Sequence, residues 1–170
     1  YYWFEEPLVP EDIEGTTALR NALSIAIASG ECEYTRYGML DLLKAGAVDI
    51  LQMDISAAGG LTEGQATLAL AAAYQTPMCL HVWGSGVAVA AALQLTAVIP
   101  PIPHTAQPHA PENAPLFEFD RTRNPLRDDL VQGGFPLNNE TLLIPQSPGL
   151  GIEIDEQALD RFTHSHRTSK

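Results

Sequence analysis

The chain has 170 residues, of which 45% are hydrophobic and 18% charged, and its formal net charge is −12 at pH 7. A chain of this length can bury a core, and one ordinary domain is the default. Nine basic against twenty-one acidic side chains argue against a nucleic-acid partner, because phosphate binding depends on Lys and Arg. The apolar run 87–99 is shorter than the roughly 18 residues of a membrane span, so we expect no membrane partner.

Cysteine usage bears on the cellular compartment. The two cysteines, Cys32 and Cys79, form no disulfide framework, and neither stands in a CxxC motif. No basic segment followed by an apolar core indicates a signal peptide. We therefore expect a reducing, cytoplasmic location. Cys32 has no visible activating partner and is interpreted as a small buried residue rather than a nucleophile.

The first hundred residues repeat one pattern, in which a short apolar run ends at a polar residue and a helical segment follows. Alternation of this kind is typical of βαβ units on a parallel sheet. The predicted strands cover residues 1–4, 24–29, 48–53 and 77–80, and the predicted helices cover 13–23, 36–44, 61–74 and 87–99.

One polar residue stands at the end of each of these strands: Glu5, Glu31, Asp54 and His81. Their separations are 26, 23 and 27 positions (5 to 31, 31 to 54, 54 to 81), which is one βα unit each. In a closed (β/α) barrel such residues meet at one mouth, whereas in an open doubly wound sheet they lie along an edge. The pattern alone leaves both architectures open. No GxGxxG or Walker sequence indicates a nucleotide site.

The chain changes character after residue 99. Residues 100–115 are rich in proline and predict a long loop, whose His104 and His109 are interpreted as solvated. A fifth strand is predicted over 116–119, and a terminal helix over 155–162. Three arginines near several acidic residues are interpreted as a surface ion-pair network: Arg121, Arg123 and Arg127.

The strand-end residues have the types that metal-assisted proton transfer requires. Glu5 and Glu31 offer hard carboxylate oxygens of the kind that Mg²⁺ binds, although either could instead cap a helix or pair with an Arg. His81 alone would more often be a packed core histidine. With Asp54 on the neighbouring strand it becomes a candidate base, because a carboxylate fixes the imidazole tautomer and raises its basicity.

These residues carry a resemblance to the enolase superfamily, and within it to the mandelate racemase subgroup. The motifs are Trp3-Phe4-Glu5-Glu6-Pro7, Ser29-Gly30-Glu31, Gln52-Met53-Asp54 followed by Gly59-Gly60, and His81. The resemblance implies an α/β fold, namely the C-terminal portion of a (β/α)7β TIM-like barrel, with a C-terminal segment that returns toward a capping domain. Strands four to eight would occupy residues 1–120, and the returning segment 121–170.

The resemblance also implies a role for each site residue. Glu5 and Glu31 would be the second and third of three Mg²⁺ ligands, and His81 with Asp54 would form the dyad that acts on the carbon next to a substrate carboxylate. Glu118, within Leu116-Phe117-Glu118-Phe119-Asp120, resembles a last-strand glutamate that hydrogen-bonds the enolate side of the substrate; its alternative is a salt-bridged surface residue.

Two positions where this chain departs from the family pattern limit which residue could act as the base. The first metal ligand and the lysine-bearing strand would lie upstream, and neither Lys44 nor Lys170 replaces that base. The muconate-lactonising subgroup has a Lys three residues after the strand-six Asp, where this chain has Ala57. Proton transfer would therefore depend on His81, which favours the mandelate racemase type.

The resulting hypothesis is a Mg²⁺-dependent hydro-lyase that removes the proton alpha to a carboxylate and dehydrates a sugar acid to a 2-keto-3-deoxy acid. One alternative is a racemase or epimerase of a 2-hydroxy acid or amino-acid derivative. Another is a truncated, non-catalytic fragment, because the chain begins inside a predicted strand and carries five of eight strands. The expected partners are a small carboxylate substrate and, from the resemblance, further copies of the same chain.

Overall fold

A computed structural model of the protein describes residues 1–99 and 115–165. The predicted proline-rich loop, with His104 and His109, and the last residues with Lys170 lie outside the described part. Among the described residues, no helix combines the length and the apolar character needed to cross a membrane.

The elements alternate strand and helix through the first half, as the apolar pattern predicts. In chain order they are β1 (Trp3–Glu5), α1 (Ile13–Ala22), β2 (Ala26–Ser29), α2 (Thr35–Ala45), β3 (Ile50–Leu51), α3 (Ile55–Ala58), α4 (Gly60–Ala73), α5 (Gly86–Thr96), α6 (Pro125–Asp128), β4 (Leu137–Asn138), β5 (Thr141–Leu142) and α7 (Glu156–Phe162). The four predicted helices of the first half agree with α1, α2, α4 and α5 to within three residues at each end.

Strands β1, β2 and β3 form a parallel sheet in sequence order. Phe4 pairs with Ile27, and Ala28 pairs with Ile50. The segment predicted as a fourth strand continues this order at single positions, where Met78 pairs with Leu51 and His81 pairs with Asp54. The sheet therefore brings the carboxyl ends of all four segments to the same edge.

The core lies between the sheet and the helices that follow each strand. Helix α4 packs between α2 and α5, and α3 contacts both α4 and α5. Fully buried side chains come from β2 and β3, from the segment after β3, from the fourth sheet segment and from α2 and α5: Ile27, Met39, Leu51, Met53, Leu80, Val89 and Leu95. Burial of this apolar surface is the main stabilising term of the fold.

Two expectations about the second half are wrong. Leu116–Phe119 do not pair as a strand; instead Phe117 and Phe119 pack against the core, and the segment is attached by side-chain hydrogen bonds. Arg127 is not a surface residue, because only 7% of it is exposed and it is surrounded by hydrogen-bond acceptors. The terminal helix α7 begins as predicted, with Asp155 accepting a hydrogen bond from Ala158 N.

Candidate active site

Asp54 and His81 form the most tightly defined pair of the site. Asp54 and His81 are paired through the backbone as neighbours in the parallel sheet, and His81 N donates a hydrogen bond to Met53 O at 3.2 Å. The imidazole Nδ1 lies 2.8 Å from Asp54 Oδ2, and each side chain is about one-seventh exposed, 13% for His81 and 14% for Asp54. The backbone pairing thus sets the separation at which the two side chains meet.

Asp54 is fixed from a second direction because it is also the N-cap of α3. Its Oδ1 accepts hydrogen bonds from Ser56 N at 2.6 Å and from Ala57 N at 3.1 Å. Burial disfavours the ionised carboxylate, but the hydrogen bonds from His81 and from these two amides outweigh it and lower the pKa of Asp54. The carboxylate is therefore ionised and held still.

The hydrogen bond to Asp54 raises the pKa of His81 above its ordinary value, against the opposing effect of burial. The negative charges of Glu118 and Glu31 add to the increase. Glu31 Oε2 lies 3.4 Å from His81 Nε2, the nitrogen that Asp54 leaves free. His81 is thus a strengthened base whose second nitrogen faces the acidic cluster.

Glu31 owes its position to a close contact between β2 and the segment after β3. Gly30 has φ +138°, and a Cβ there would lie 3.1 Å from the carbonyl oxygen of Gln52. Glycine is the residue that combines this left-handed conformation with this approach of two backbones. The chain then turns directly to Glu31 at the sheet edge.

Glu5 is held by two donors at one carboxylate oxygen. Trp3 Nε1 donates to Glu5 Oε2 at 2.8 Å, and Gln52 Nε2 donates to the same oxygen at 3.0 Å. Gln52 is completely buried, and its Oε1 has no hydrogen-bond partner among the described residues. A buried glutamine oriented by a carboxylate at the sheet edge is a positioning contact that sequence patterns gave no reason to select.

Glu6, rather than Glu5, is the neighbour that the structure groups with Glu31. One donor atom from each of Glu6, Glu31 and Cys32 lies within 4.8 Å of the other two. The backbone of Glu6 has a left-handed φ of 37°. Burial and the negative charge of Glu31 raise the pKa of Glu6. The predicted pairing of Glu5 with Glu31 is therefore not part of this three-residue group.

Cys32 corrects one expectation, because the thiol is exposed rather than buried. Its Sγ lies 3.9 Å from Glu6 Oε2. Burial, small as it is, and the negative charges of Glu6 and Glu31 raise the pKa of Cys32. The thiol is therefore protonated at neutral pH, and the interpretation that it is no nucleophile still follows.

Glu118 reaches the same sheet edge although its segment is not a strand. Its Oε2 accepts a hydrogen bond from Val82 N at 3.1 Å, one residue after His81. Burial raises the pKa of Glu118, partly offset by the Val82 amide and by His81. The negative charges of Glu5 and Glu31 act in the same direction as burial. The Glu118 carboxyl group therefore interacts electrostatically with His81, Glu5 and Glu31.

The donor set of the edge fits a hard divalent cation. Glu5, Glu6, Glu31 and Glu118 offer carboxylate oxygens, and mutual repulsion with burial raises the pKa of two of them, Glu6 and Glu118. A divalent cation removes such repulsion, and Mg²⁺ prefers oxygen ligands of this type. A thiol is a poor ligand for Mg²⁺, so Cys32 does not belong to that donor set.

Comparisons with known proteins find the same family that the sequence motifs resemble. The family model described as enolase C-terminal domain-like matches residues 1–158. Solved relatives include members of the mandelate racemase and muconate lactonizing group, which are TIM-barrel enzymes. The chain belongs to the enolase superfamily, in its mandelate racemase branch, and its fold is the C-terminal part of that barrel.

Among curated relatives, a D-galactarolactone cycloisomerase from Agrobacterium fabrum is 44% identical over 160 residues, covering 94% of this chain and 41% of that protein. A D-galactonate dehydratase from Variovorax paradoxus is 34% identical over 163 residues, covering 96% of this chain and 40% of that protein. The chain therefore spans about two fifths of the length of these relatives.

Similar solved structures also belong to this family, and the chain again covers only part of each. A 3,6-anhydro-D-galactonate cycloisomerase from Zobellia galactanivorans has a TM-score of 0.83 and 40% identity, covering 95% of this chain and 42% of that chain. A mandelate racemase/muconate lactonizing enzyme from a Sulfitobacter species has a TM-score of 0.80 and 27% identity, covering 98% and 38%.

Proposed function

We propose that the protein removes the proton alpha to the carboxylate of a sugar acid and then eliminates the oxygen substituent on the next carbon. The single observation that carries this proposal is the His81–Asp54 hydrogen bond of 2.8 Å, beside the carboxylates of Glu31 and Glu118. A base of raised pKa at an acidic edge is suited to a weakly acidic C–H that lies next to a carboxylate.

His81 is the proposed base. Asp54 accepts a hydrogen bond from the Nδ1–H group, so the lone pair of the neutral imidazole is on Nε2, where it can take the α-proton. The imidazolium that forms is stabilised by the Asp54 charge, and its proton is then available for the departing oxygen. The electron pair of the broken C–H bond first gives an enediolate, and it then forms the C=C bond as the β C–O bond breaks. The product is an enol, which tautomerises to a 2-keto-3-deoxy acid.

Mg²⁺ is the proposed cofactor, with Glu5 and Glu31 as its ligands from this chain. Both described hydrogen bonds to Glu5 go to Oε2, and they hold the carboxylate that would bind the cation. Glu6 lies beside Glu31 and adds negative charge to the same region. When bound, Mg²⁺ supplies positive charge that stabilises the negative charge that develops on the substrate carboxylate. Glu118 would contact the enolate side of the substrate.

Two leaving groups are compatible with the same proton abstraction. In an open-chain sugar acid the β-oxygen is a hydroxyl, and its loss with a proton is a dehydration. In a 3,6-anhydro acid the oxygen on C3 belongs to a ring, so the same bond cleavage opens the ring without loss of water and the product is an isomer. The 40% identity to a 3,6-anhydro-D-galactonate cycloisomerase favours this second candidate. A relative at 44% identity is also named a cycloisomerase, although its name refers to D-galactarolactone.

The test uses the protein at its full natural length, with Mg²⁺, in deuterated water. A panel of open-chain sugar acids and a 3,6-anhydro sugar acid is followed by proton NMR. We expect loss of the α-hydrogen signal and formation of a 2-keto-3-deoxy acid from at least one compound. The compound that reacts distinguishes dehydration from ring opening.

Two other outcomes would contradict the elimination. Epimerisation at the α-carbon with the β C–O bond intact would indicate a racemase. Product formation with full retention of the α-hydrogen would exclude proton abstraction altogether. A matched reaction with Mg²⁺ removed by a chelator and then restored checks the proposed cofactor.

A further inference from the structure

Arg127 is a buried charge with acceptors around its whole guanidinium group. Nε donates to Asp128 Oδ1 at 2.8 Å, Nη1 donates to the backbone and the side-chain oxygens of Asp120, and Nη2 donates to Thr122 O. The guanidinium carbon lies 5.3 Å from the centroid of the Phe119 ring. Only 8% of the side chain is exposed.

A buried guanidinium is stable only where its N–H groups find acceptors in the correct directions. The fork geometry of Arg therefore determines where the carbonyls of Asp120 and Thr122 must lie. Phe119 is fixed by the ring contact at the same time. Glu118 is the residue directly before this fixed segment, so the backbone position of Glu118 depends on Arg127.

The segment that Arg127 organises is fastened to the residues after His81 by contacts other than a β ladder. Glu118 accepts from Val82 N at 3.1 Å, and Asn124 Nδ2 donates to Gly84 O at 3.1 Å. A Cβ at Gly86 would lie 3.1 Å from the carbonyl oxygen of Arg127. The two segments are therefore aligned by side chains and by this close approach of two backbones.

We propose that Arg127 is a positioning residue that holds the Glu118 carboxylate on Val82 N and so beside the His81 imidazole. Its consequence for the reaction rests on the function proposed above. Arg127 touches none of the proposed reacting groups, and it acts through the segment 119–122. A lysine would keep the positive charge but would lose the fork that sets both carbonyls.

The first experiment reads the position of Glu118 without any activity. Amide hydrogen exchange at Val82 is measured in the natural protein and in Arg127→Lys, Arg127→Met and Glu118→Ala. We expect protection at Val82 to fall by about threefold to tenfold in all three variants, the size of one lost hydrogen bond. Arg161→Met is the matched control, because Arg161 also lies over a phenylalanine, Phe162, at 5.7 Å.

Comparing the loss of amide protection at Val82 with that at a distant residue distinguishes positioning from general destabilisation. An amide far from the site, Ala71 in α4, should keep its protection in Arg127→Lys. Unchanged Val82 protection in that variant would overturn the proposal, and so would an equal loss at Val82 and Ala71. Arg127→Lys keeps the charge, so it provides the measurement if Arg127→Met does not fold.

The second experiment is a double-mutant cycle in α-hydrogen exchange with solvent. If Arg127 acts through Glu118, Arg127→Lys lowers kcat about tenfold in the natural protein, with a smaller effect on KM, and has little further effect in a Glu118→Ala background. Additive losses would overturn the proposal. If the natural protein removes the α-hydrogen from none of the acids tested, the proposed function fails, whereas the Val82 measurement still decides the role of Arg127.

Discussion

His81 and Asp54 are joined at two levels, by backbone pairing of neighbouring parallel segments and by a side-chain hydrogen bond of 2.8 Å. The first sets the distance between their backbones, and the second sets the imidazole orientation. Asp54 is in turn fixed as the N-cap of α3. The pair is therefore built into the sheet and the helix that follows it, which makes its geometry independent of the surrounding loops.

Replacement of His81 by asparagine should abolish exchange of the substrate α-hydrogen while Mg²⁺ still binds. A positioned general base contributes about 10²- to 10⁴-fold to such a step, and the amide has no comparable basicity. Proton NMR in deuterated water measures the exchange, and calorimetry measures Mg²⁺ binding. His164→Asn, at an exposed position, is the control. Exchange at the normal rate in His81→Asn would refute the assignment of the base.

Replacing Asp54 by asparagine and by alanine should distinguish its role as the α3 cap from its effect on the pKa of His81. Asparagine still accepts from Ser56 N and Ala57 N, so Asp54→Asn keeps the α3 cap, whereas Asp54→Ala loses it and destabilises the protein by about 1 kcal/mol. Both variants remove the carboxylate whose hydrogen bond, together with its charge, raises the pKa of His81. The pKa of His81 should therefore fall in both, as measured by NMR titration, and so should the rate.

The sign of the pH effect follows from the direction of the shift. His81 acts as a base only when neutral, so a raised pKa moves the acidic limit of activity to higher pH. In Asp54→Asn this limit should move to lower pH while the maximal rate declines. An unchanged acidic limit would mean that the limit belongs to another group.

The fold was predictable where a local pattern decides it. The apolar runs and their spacing place β1 to β3 and four helices, because parallel strands and amphipathic helices have distinct periods. The residues Leu116–Phe119 show the limit of this reasoning. Their alternation fits a strand, but the position of the segment is set by the Val82 amide, 34 or more residues before it, and by Arg127, 8 or more residues after it.

The positions of the candidate site residues at the sheet edge were predictable to the level of residue type and chain position. Strand ends identify Glu5, Glu31, Asp54 and His81, since parallel strands share one edge. Glu6 was missed because its grouping with Glu31 depends on a left-handed φ at a non-glycine residue, which no composition pattern reveals. Gln52 was missed as a contact of Glu5 because a buried glutamine has no sequence signature.

Gln52→Leu should weaken Mg²⁺ binding more than it weakens the fold. The change removes the Nε2 donor to Glu5, so the carboxylate is held by Trp3 alone. It also removes a buried Oε1 that has no partner within residues 1–99 and 115–165, and the relief offsets part of the lost hydrogen bond. We expect a stability change within about 1 kcal/mol by chemical denaturation.

Calorimetric titration measures the Mg²⁺ affinity of Gln52→Leu, and we expect it to be about tenfold lower than in the natural protein. Gln75→Leu, at an exposed position after α4, is the matched control. Full affinity in Gln52→Leu would show that Glu5 needs no support from Gln52 to bind the cation.

Glu63→Gln should lower stability at neutral pH but leave it unchanged in strong acid. Arg36 donates to Glu63 through its side chain and its backbone N–H, and these bonds lower the pKa of Glu63 to about 2 from 4.5. Because the folded-state pKa is the lower one, the ionised carboxylate favours folding above pH 4.5, and this contribution is lost as the pH falls toward 2. Urea unfolding of both proteins across this range should give curves that converge in acid.

Gly64→Ala should destabilise the protein through the α4–α5 contact. A Cβ at Gly64 would lie 2.5 Å from Leu95 Cδ2, and Leu95 is 1% exposed, so the added methyl has no free space. Overpacking of this kind costs about 1–3 kcal/mol, which exceeds the helix-propensity gain of about 0.5–1 kcal/mol from glycine to alanine. Gly38→Ala in α2 is the matched control, because the nearest atom to its Cβ would be the carboxylate Oε2 of Glu33, which can rotate away, while Glu33 Cβ would lie 3.2 Å off. Thermal unfolding should show a lower midpoint for Gly64→Ala and an equal or higher one for Gly38→Ala; a stabilised Gly64→Ala would mean that the two helices separate without cost.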